Sequence, residues 1–258
     1  MNKEKLTKIA EDLLDVFWEA GKAAIETSNK GVKITIKPDK SPVTDGDLIV
    51  DKILKKRIYA LTPDIPIISE ETANLNVKNN FENFWLIDPI DGTRDYIKKK
   101  DEYTLNAALI IKFKPAIGIV YAPEKKRLFY SCGKNLAFEI RNGKKTLLNC
   151  KKINSKKIIA LANSDETPKE VLEIYKKNNV SEIVKMSSSL KFCVIAAGEA
   201  DIYAAKARAY EWDIAAGHAI LDHSGGTVTS HDEKEFLYGK ENYKNIPIIA
   251  KRSHNLEK

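Results

Sequence analysis

The sequence predicts a mixed protein, α+β in its first part and α/β in its second. Three observations predict it. The chain opens with two helical patterns, continues as strand-like segments to about residue 140, and from residue 158 alternates helix with strand. Residues 3–28 carry Leu6, Ile9, Leu13, Leu14, Phe17, Ala20 and Ala24 at intervals of three and four, one apolar stripe on a helix. Val32–Ile36 alternates apolar with polar, as a half-buried strand does. Thr44 to Leu61 reads as a second helix with Ile49, Ile53, Leu54 and Ile58 on one side and Pro63 ending it. The short apolar runs Ile65–Ile68 and Phe84–Ile87 each end in acidic residues. Strands that deliver carboxylates at their C-terminal ends are where open sheets keep ligands.

Strand patterns follow at Tyr103–Lys112, Ala116–Tyr121, Arg127–Ser131 and Asn135–Ile140, joined by Pro, Gly and Lys turns. After a strand at Ile158–Asn163, the alternating part has helices near Pro168–Lys177, Leu190–Gly198 and Trp212–His223. Its strands fall near Ile183–Met186, Asp201–Ala204, Thr227–Thr229 and Ile246–Ala250. The expected division lies near residue 150. Residues 1–150 form an α+β half bearing most of the candidate ligands, and residues 151–258 an α/β half adding Asp213 and substrate contacts.

The 258 residues are 43% hydrophobic and 31% charged, as in globular proteins, and no apolar run approaches a membrane span. Three widely spaced cysteines indicate neither a disulfide framework nor a Cys-type zinc site. With no secretory signal pattern, the expected location is cytoplasmic, soluble or peripheral on the inner membrane's cytoplasmic face. The net charge of +7 comes from one run, Arg141, Lys144, Lys145, Lys151, Lys152, Lys156 and Lys157; the other bases equal the 36 acids. Such a run fits a phosphate backbone, but no aromatic residues interleave with it. It reads as a solvated hairpin and linker, and no nucleic-acid partner is expected.

The densest chemical signal is Trp85-Leu86-Ile87-Asp88-Pro89-Ile90-Asp91-Gly92-Thr93. An apolar strand runs into Asp88, Pro89 fixes φ, and Gly92 permits a tight turn. Two carboxylates then point into one space, which is costly unless a cation neutralises them or one takes up a proton. Oxygen ligands favour a hard ion, Mg²⁺ first and Mn²⁺ as its substitute. A plain surface turn explains the same motif alone. Further acids gather at Ser69-Glu70-Glu71, Thr44-Asp45-Gly46-Asp47 and Glu211-Trp212-Asp213; helix capping accounts for Asp45 and equally for Asp213. His218, His223 and Cys193 read as packing residues.

These segments together resemble the lithium-sensitive, Mg²⁺-dependent phosphatases related to inositol monophosphatase, and among them the bacterial 3′(2′),5′-bisphosphate nucleotidases of sulfate assimilation. The matching stretches are Asp39–Asp47, Leu61–Glu71, Trp85–Lys98, Glu102–Ile110, Ile117–Pro123, Ser188–Ala197 and Trp212–Ala219, in order along nearly the whole chain. The resemblance implies an αβαβα layered fold. It makes Glu70, Asp88, Asp91 and Asp213, with the Ile90 carbonyl, the ligands of two or three Mg²⁺ ions. Asp47 and Thr93 resemble the pair that positions the attacking water, and Glu70 joins them as a catalytic residue. Gly92, Thr93 and Arg94 would hold phosphate, and Ser188, Ser189 and Lys191 match a stretch near the nucleotide. Glu70, Asp91 and Asp213 would also border the substrate. Four ionised carboxylates repel a phosphate monoester, and divalent ions reverse that sign. Positioning and charge neutralisation are what phosphoryl transfer needs.

The implied activity is hydrolysis of adenosine 3′,5′-bisphosphate to AMP and phosphate. Its 2′,5′ isomer and 3′-phosphoadenylyl sulfate are further substrates, and a homodimer is compatible with the superfamily. One segment departs from the pattern. Ala204-Ala205-Lys206-Ala207-Arg208-Ala209-Tyr210-Glu211 stands where those nucleotidases usually carry an Arg and a Gly-Pro-Thr turn. That departure keeps an inositol monophosphatase or sugar bisphosphatase open as the alternative. A nucleic-acid-binding protein with an inactive phosphatase site is the second.

Overall fold

The structure, a computed structural model, describes residues 1–75, 80–151, 157–164, 166–253 and 256. Lys152 and Lys156 of the basic run lie outside the described residues. Helices α1 (Lys3–Asp12) and α2 (Leu14–Lys30) replace the single opening helix expected. The break at Leu13 is a tightened step, its N–H on Ala10 O at 3.3 Å, which neither Pro nor Gly announces.

Strands β1 (Ile34–Ile36) and β2 (Pro42–Thr44) pair only with each other, so all three β1 residues are exposed and the expected half-buried alternation is absent. Thr44 then caps α3 (Asp45–Leu61) in a reciprocal box. Its side chain accepts from the Gly46 and Asp47 N–H groups, while Asp47 accepts from the Thr44 N–H. The α3 face that enters the core carries Val50, Leu54 and Ile58; Ile49 is exposed. The run Leu48-Ile49-Val50 offers either face by spacing alone.

A seven-stranded sheet follows in chain order: β3 (Ile67–Ser69), β4 (Asn83–Asp91), β5 (Thr104–Ile111), β6 (Lys114–Ala122), β7 (Arg127–Ser131), β8 (Ala137–Arg141) and β9 (Lys144–Leu147). Only the β3–β4 pair is parallel. The short helix α4 (Thr93–Ile97) leaves the end of β4. A five-stranded sheet holds β10 (Ile159–Ala162), β11 (Glu182–Lys185), β12 (Ile202–Ala205), β13 (Thr227–Ser230) and β14 (Ile248–Lys251), in the order β11-β10-β12-β14-β13. Helices α5 (Lys169–Lys177), α6 (Leu190–Ala196) and α7 (Ala215–His223) alternate with its strands.

Side-chain alternation sorts these elements into layers. Trp85, Ile87, Leu105, Ala107, Ile117 and Ile119 pack with Phe17, Leu54 and Ile58 of the first three helices. From the same strands Phe84, Leu86, Ala108, Ile110 and Val120 face the other way, onto α6 and α7. Tyr203, Ile248 and Ala250 of the second sheet meet α6 and α7 from beyond, and Ile202, Ala204 and Ile249 turn outward to Val171 and Tyr175 of α5. The result is the αβαβα sandwich. Gly118 lets α7 approach closely: a Cβ there would collide with Ala216 O and meet Ala219 Cβ at 2.7 Å. On β9, Lys145 Nζ reaches Glu11 at 3.0 Å and stands 4.4 Å from the Phe138 ring centroid. Among the described residues no helix is long and apolar enough to cross a membrane.

Candidate active site

A cleft of about 520 Å³ opens where the ends of β3 and β4 meet the second sheet. On a regular strand Asp88 and Asp91, three positions apart, would project to opposite faces. They do not, because the register slips between them: Asp88 pairs with Asn106 and Asp91 with Thr104. One extra residue on β4 re-aims the strand, and Pro89, lacking an N–H, sits in that bulge. Glu70 follows β3, its N–H bonded to Ile87 O at 3.0 Å. Asp213 lies just before α7 and accepts from the Tyr210 N–H at 2.8 Å. It therefore caps no helix. The start of α7 falls after Trp212, where it was expected, because Glu211 and Asp213 are both committed elsewhere; Glu211 accepts from the Gly239 and Lys240 N–H groups.

Glu70, Asp88 and Asp213 each bring a carboxylate oxygen within 4.8 Å of the other two. Asp88 is buried, and its Oδ1 has no hydrogen-bond partner among the described residues. Burial, then the charges of Glu70 and Asp91, push the Asp88 carboxyl well above its ordinary range. Asp213 moves the same way through burial and the charges of Asp91 and Glu70. A buried carboxylate without a donor is expensive. The donor set of hard oxygens fits a divalent cation, which would supply the missing counter-charge.

Asp91 stands beside this trio rather than in it. Its Oδ2 accepts from the Ser189 N–H at 2.5 Å, and burial raises its carboxyl to about 6. The Ile90 carbonyl accepts from Thr93 Oγ1 at 3.1 Å. The same hydroxyl lies 3.4 Å from Asp47 Oδ1, and burial lifts the Asp47 carboxyl to about 6. Gly92 adopts φ +93°, the left-handed turn that starts α4 and points Thr93 into the cleft. Arg94 is exposed on the cleft rim.

In the nucleotide stretch, Ser188 lines the cleft in a left-handed conformation with φ 56°. Lys191 is buried on the same wall, its Nζ on the Ser188 carbonyl and 5.0 Å from the Tyr203 ring centroid; burial lowers it to about 8. The Ser189 side chain turns away from the cleft. It donates to Asn106 Oδ1 and meets Thr104 Oγ1 at 2.9 Å, so only its backbone serves the site, through Asp91.

Sequence reasoning missed several neighbours. Lys37, after β1, donates to Glu70 Oε1 at 2.9 Å and Glu71 Oε1 at 2.8 Å. Burial pulls its ammonium down, but Glu70 and Glu71 outweigh that and hold it above its ordinary range. Burial nonetheless lifts Glu71 to about 7. The shared lysine and the raised acid agree once desolvation exceeds the attraction at Glu71. Ser187, bonded to Glu102 through both N–H and hydroxyl, and the Asn163–Tyr203 pair at 2.8 Å complete the far wall. None of these sits in a motif; the signal for each is the folded contact.

The fold and cleft together define a layered α+β protein with a cluster of buried and half-buried carboxylates in its cleft. The model of the inositol monophosphatase family matches residues 2–256, and the chain belongs to that family. It is 36% identical over 233 residues to the 3′(2′),5′-bisphosphate nucleotidase CysQ of Buchnera aphidicola, covering 87% of each chain. With CysQ of Salmonella typhimurium the identity is 32%, over 88% of this chain and 93% of that one. The crystal structure of CysQ from Bacteroides thetaiotaomicron, a bacterial member of the same family, superposes with a TM-score of 0.76 at 28% identity, covering 94% and 96% of the two chains. An IMPase/NADP phosphatase complexed with Mg²⁺ and phosphate shares the fold, with a TM-score of 0.78 at 19% identity over 98% and 92%.

Proposed function

We propose that this protein is a Mg²⁺-dependent 3′(2′),5′-bisphosphate nucleotidase, releasing phosphate from adenosine 3′,5′-bisphosphate by direct attack of water. The observation that carries the reading is Asp88, whose buried Oδ1 has no hydrogen-bond partner among the described residues and whose carboxylate gathers with those of Glu70 and Asp213 within 4.8 Å. The two relatives named as nucleotidases, each more than 30% identical, support the substrate.

Glu70, Asp88, Asp91, Asp213 and the Ile90 carbonyl would hold two or three ions. Bound there, Mg²⁺ draws charge from the phosphate oxygens and lowers the pKa of water. Asp47 and Thr93 orient the attacking water. The Thr93 hydroxyl passes a proton toward Asp47, whose carboxyl near 6 is placed to accept one at neutral pH. The Gly92–Thr93 backbone positions the phosphate. Ser189, through its N–H, fixes the Asp91 carboxylate rather than touching the substrate.

Phosphate release from a panel of monoesters, with Mg²⁺, with Li⁺ added and with chelator, tests the reading. Mg²⁺-dependent, Li⁺-inhibited release favouring adenosine 3′,5′-bisphosphate is expected. Equal or better turnover of inositol 1-phosphate replaces the substrate assignment with the second reading, an inositol monophosphatase. The four alanines among residues 204–209 favour that alternative.

A further inference from the structure

The cleft is divided by charge. Its floor is acidic, lined by Glu70, Asp88, Asp91, Asp95 and Asp213, whereas no carboxylate lines the cleft from the wall of Asn163, Ser187, Ser188, Lys191, Tyr203 and Arg208, Glu102 lying behind Ser187. The cations on that side differ in what holds them. Lys191 is buried and committed to the Ser188 carbonyl. Lys206 is drawn off to Glu170 of α5 at 2.6 Å. Arg208 is exposed, lines the cleft, and has no carboxylate paired with it among the described residues. Its charge reaches Lys191 and Tyr203 across the same wall.

Arg208 also stands on a braced segment. The next residue, Ala209, accepts from the Asn245 N–H at 3.0 Å, and Tyr210 O accepts from Asn245 Nδ2 at 2.6 Å. Tyr210 in turn donates to Asp213. The bracket that fixes a floor carboxylate thus also sets where the arginine begins. Alanines at 204, 205, 207 and 209 leave Arg208 and Lys206 as the only long side chains between Tyr203 and Tyr210.

An exposed guanidinium not paired with a carboxylate matches a dianionic phosphate by paired N–H donors. We propose that Arg208 receives a second phosphate of the substrate, on the wall opposite the carboxylate floor, and so makes the site selective for bisphosphorylated over monophosphorylated nucleotides. The proposal rests on the phosphatase reading above. It gives the 204–211 departure a consequence: the cation for the second phosphate is supplied from position 208.

The test compares kcat/KM for adenosine 3′,5′-bisphosphate and adenosine 3′-monophosphate in the wild type, Arg208→Ala, Arg208→Lys and Lys206→Ala. The wild type should favour the bisphosphate by at least about tenfold, the size of a charge-assisted contact. Arg208→Ala should lose most of that preference through KM for the bisphosphate, and Arg208→Lys should recover part of it. Lys206→Ala should keep it. A wild type without preference, or an Arg208→Ala variant with the preference intact, overturns the proposal while leaving the phosphatase reading standing. Release from neither compound defeats the phosphatase reading, and the proposal with it.

Discussion

Thr93 Oγ1 lies 3.4 Å from Asp47 Oδ1, joining the first turn of α4 to the first turn of α3. Asp47 is held for this by the α3 capping box, its Oδ2 accepting from Thr44 N at 2.8 Å and Thr44 Oγ1 at 2.6 Å. One oxygen of the carboxylate is structural and the other meets the hydroxyl of Thr93, which lines the cleft. Asp47→Asn and Thr93→Val should each lower kcat by about 100- to 10,000-fold, the usual worth of positioned proton transfer. KM should change little, because neither side chain is assigned to hold the nucleotide. Steady-state kinetics beside a thermal melt checks this; wild-type kcat in Thr93→Val refutes the assigned role.

The carboxylates link metal binding to pH. Burial raises Asp47 and Asp91 to about 6 and Glu71 to about 7 in the metal-free protein. A raised carboxyl pKa contributes stability that is present below its ordinary value and lost as pH rises through the folded value. The metal-free fold therefore weakens between about pH 4 and 7, from the ordinary carboxyl values to the raised ones, and a bound divalent cation would replace the departed protons. The Mg²⁺-induced rise in thermal midpoint should be larger at pH 8 than at pH 5.5. An equal rise at both pH values contradicts the carboxylate assignment.

Two histidines act in the opposite direction. His218, bonded to the Tyr238 hydroxyl at 2.9 Å, and His223, accepting from the Gly133 N–H at 3.2 Å, are buried. Burial lowers them from 6.5 to about 3 and about 4 respectively. Their depressed values give stability that is present above 6.5 and lost as pH falls toward 4. Near pH 5 the loss is about 2 kcal/mol for each histidine. Urea unfolding of the wild type and His218→Gln at pH 7 and pH 5 should show the gap between them shifting in favour of the variant at pH 5. A constant gap excludes titration of His218 as a cause.

The close approach of α7 to β6 gives a test away from the cleft chemistry. Gly118→Val places a Cβ and its two methyl groups where Ala216 O and Ala219 Cβ already stand. It should cost about 1–3 kcal/mol by overpacking. Chemical denaturation measures the loss, and an undiminished midpoint disproves the packing.

Much of this was readable in the chain because local pattern and tertiary role agree. β4 and β7 are apolar runs with no competing helical spacing, and each forms where expected. The Asp-Pro-Ile-Asp-Gly-Thr turn carries its own chemistry in its residue types. Agreement fails where neighbours decide. Spacing could not choose between Ile49 and Val50, because either completes an apolar stripe on α3. The β1–β2 hairpin is exposed because no further strand joins it, and nothing in Val32–Ile36 records that. Ser188 and Ser189 are adjacent and alike in chemistry, yet the left-handed turn at Ser188 sends them to opposite surroundings. Lys37 meets Glu70 from 33 residues away, a contact that only the folded hairpin creates.

Glu70 after β3, Asp88 of β4 and Asp213 before α7 are proposed to share divalent cations. Anomalous diffraction from a crystal soaked in Mn²⁺ tests it most directly. Peaks within coordinating reach of Asp88, Glu70 and Asp213 are expected, abolished at one position or more in Asp213→Asn. Anomalous density elsewhere, with Asp88 still bare at full Mn²⁺ occupancy of the crystal, would contradict it.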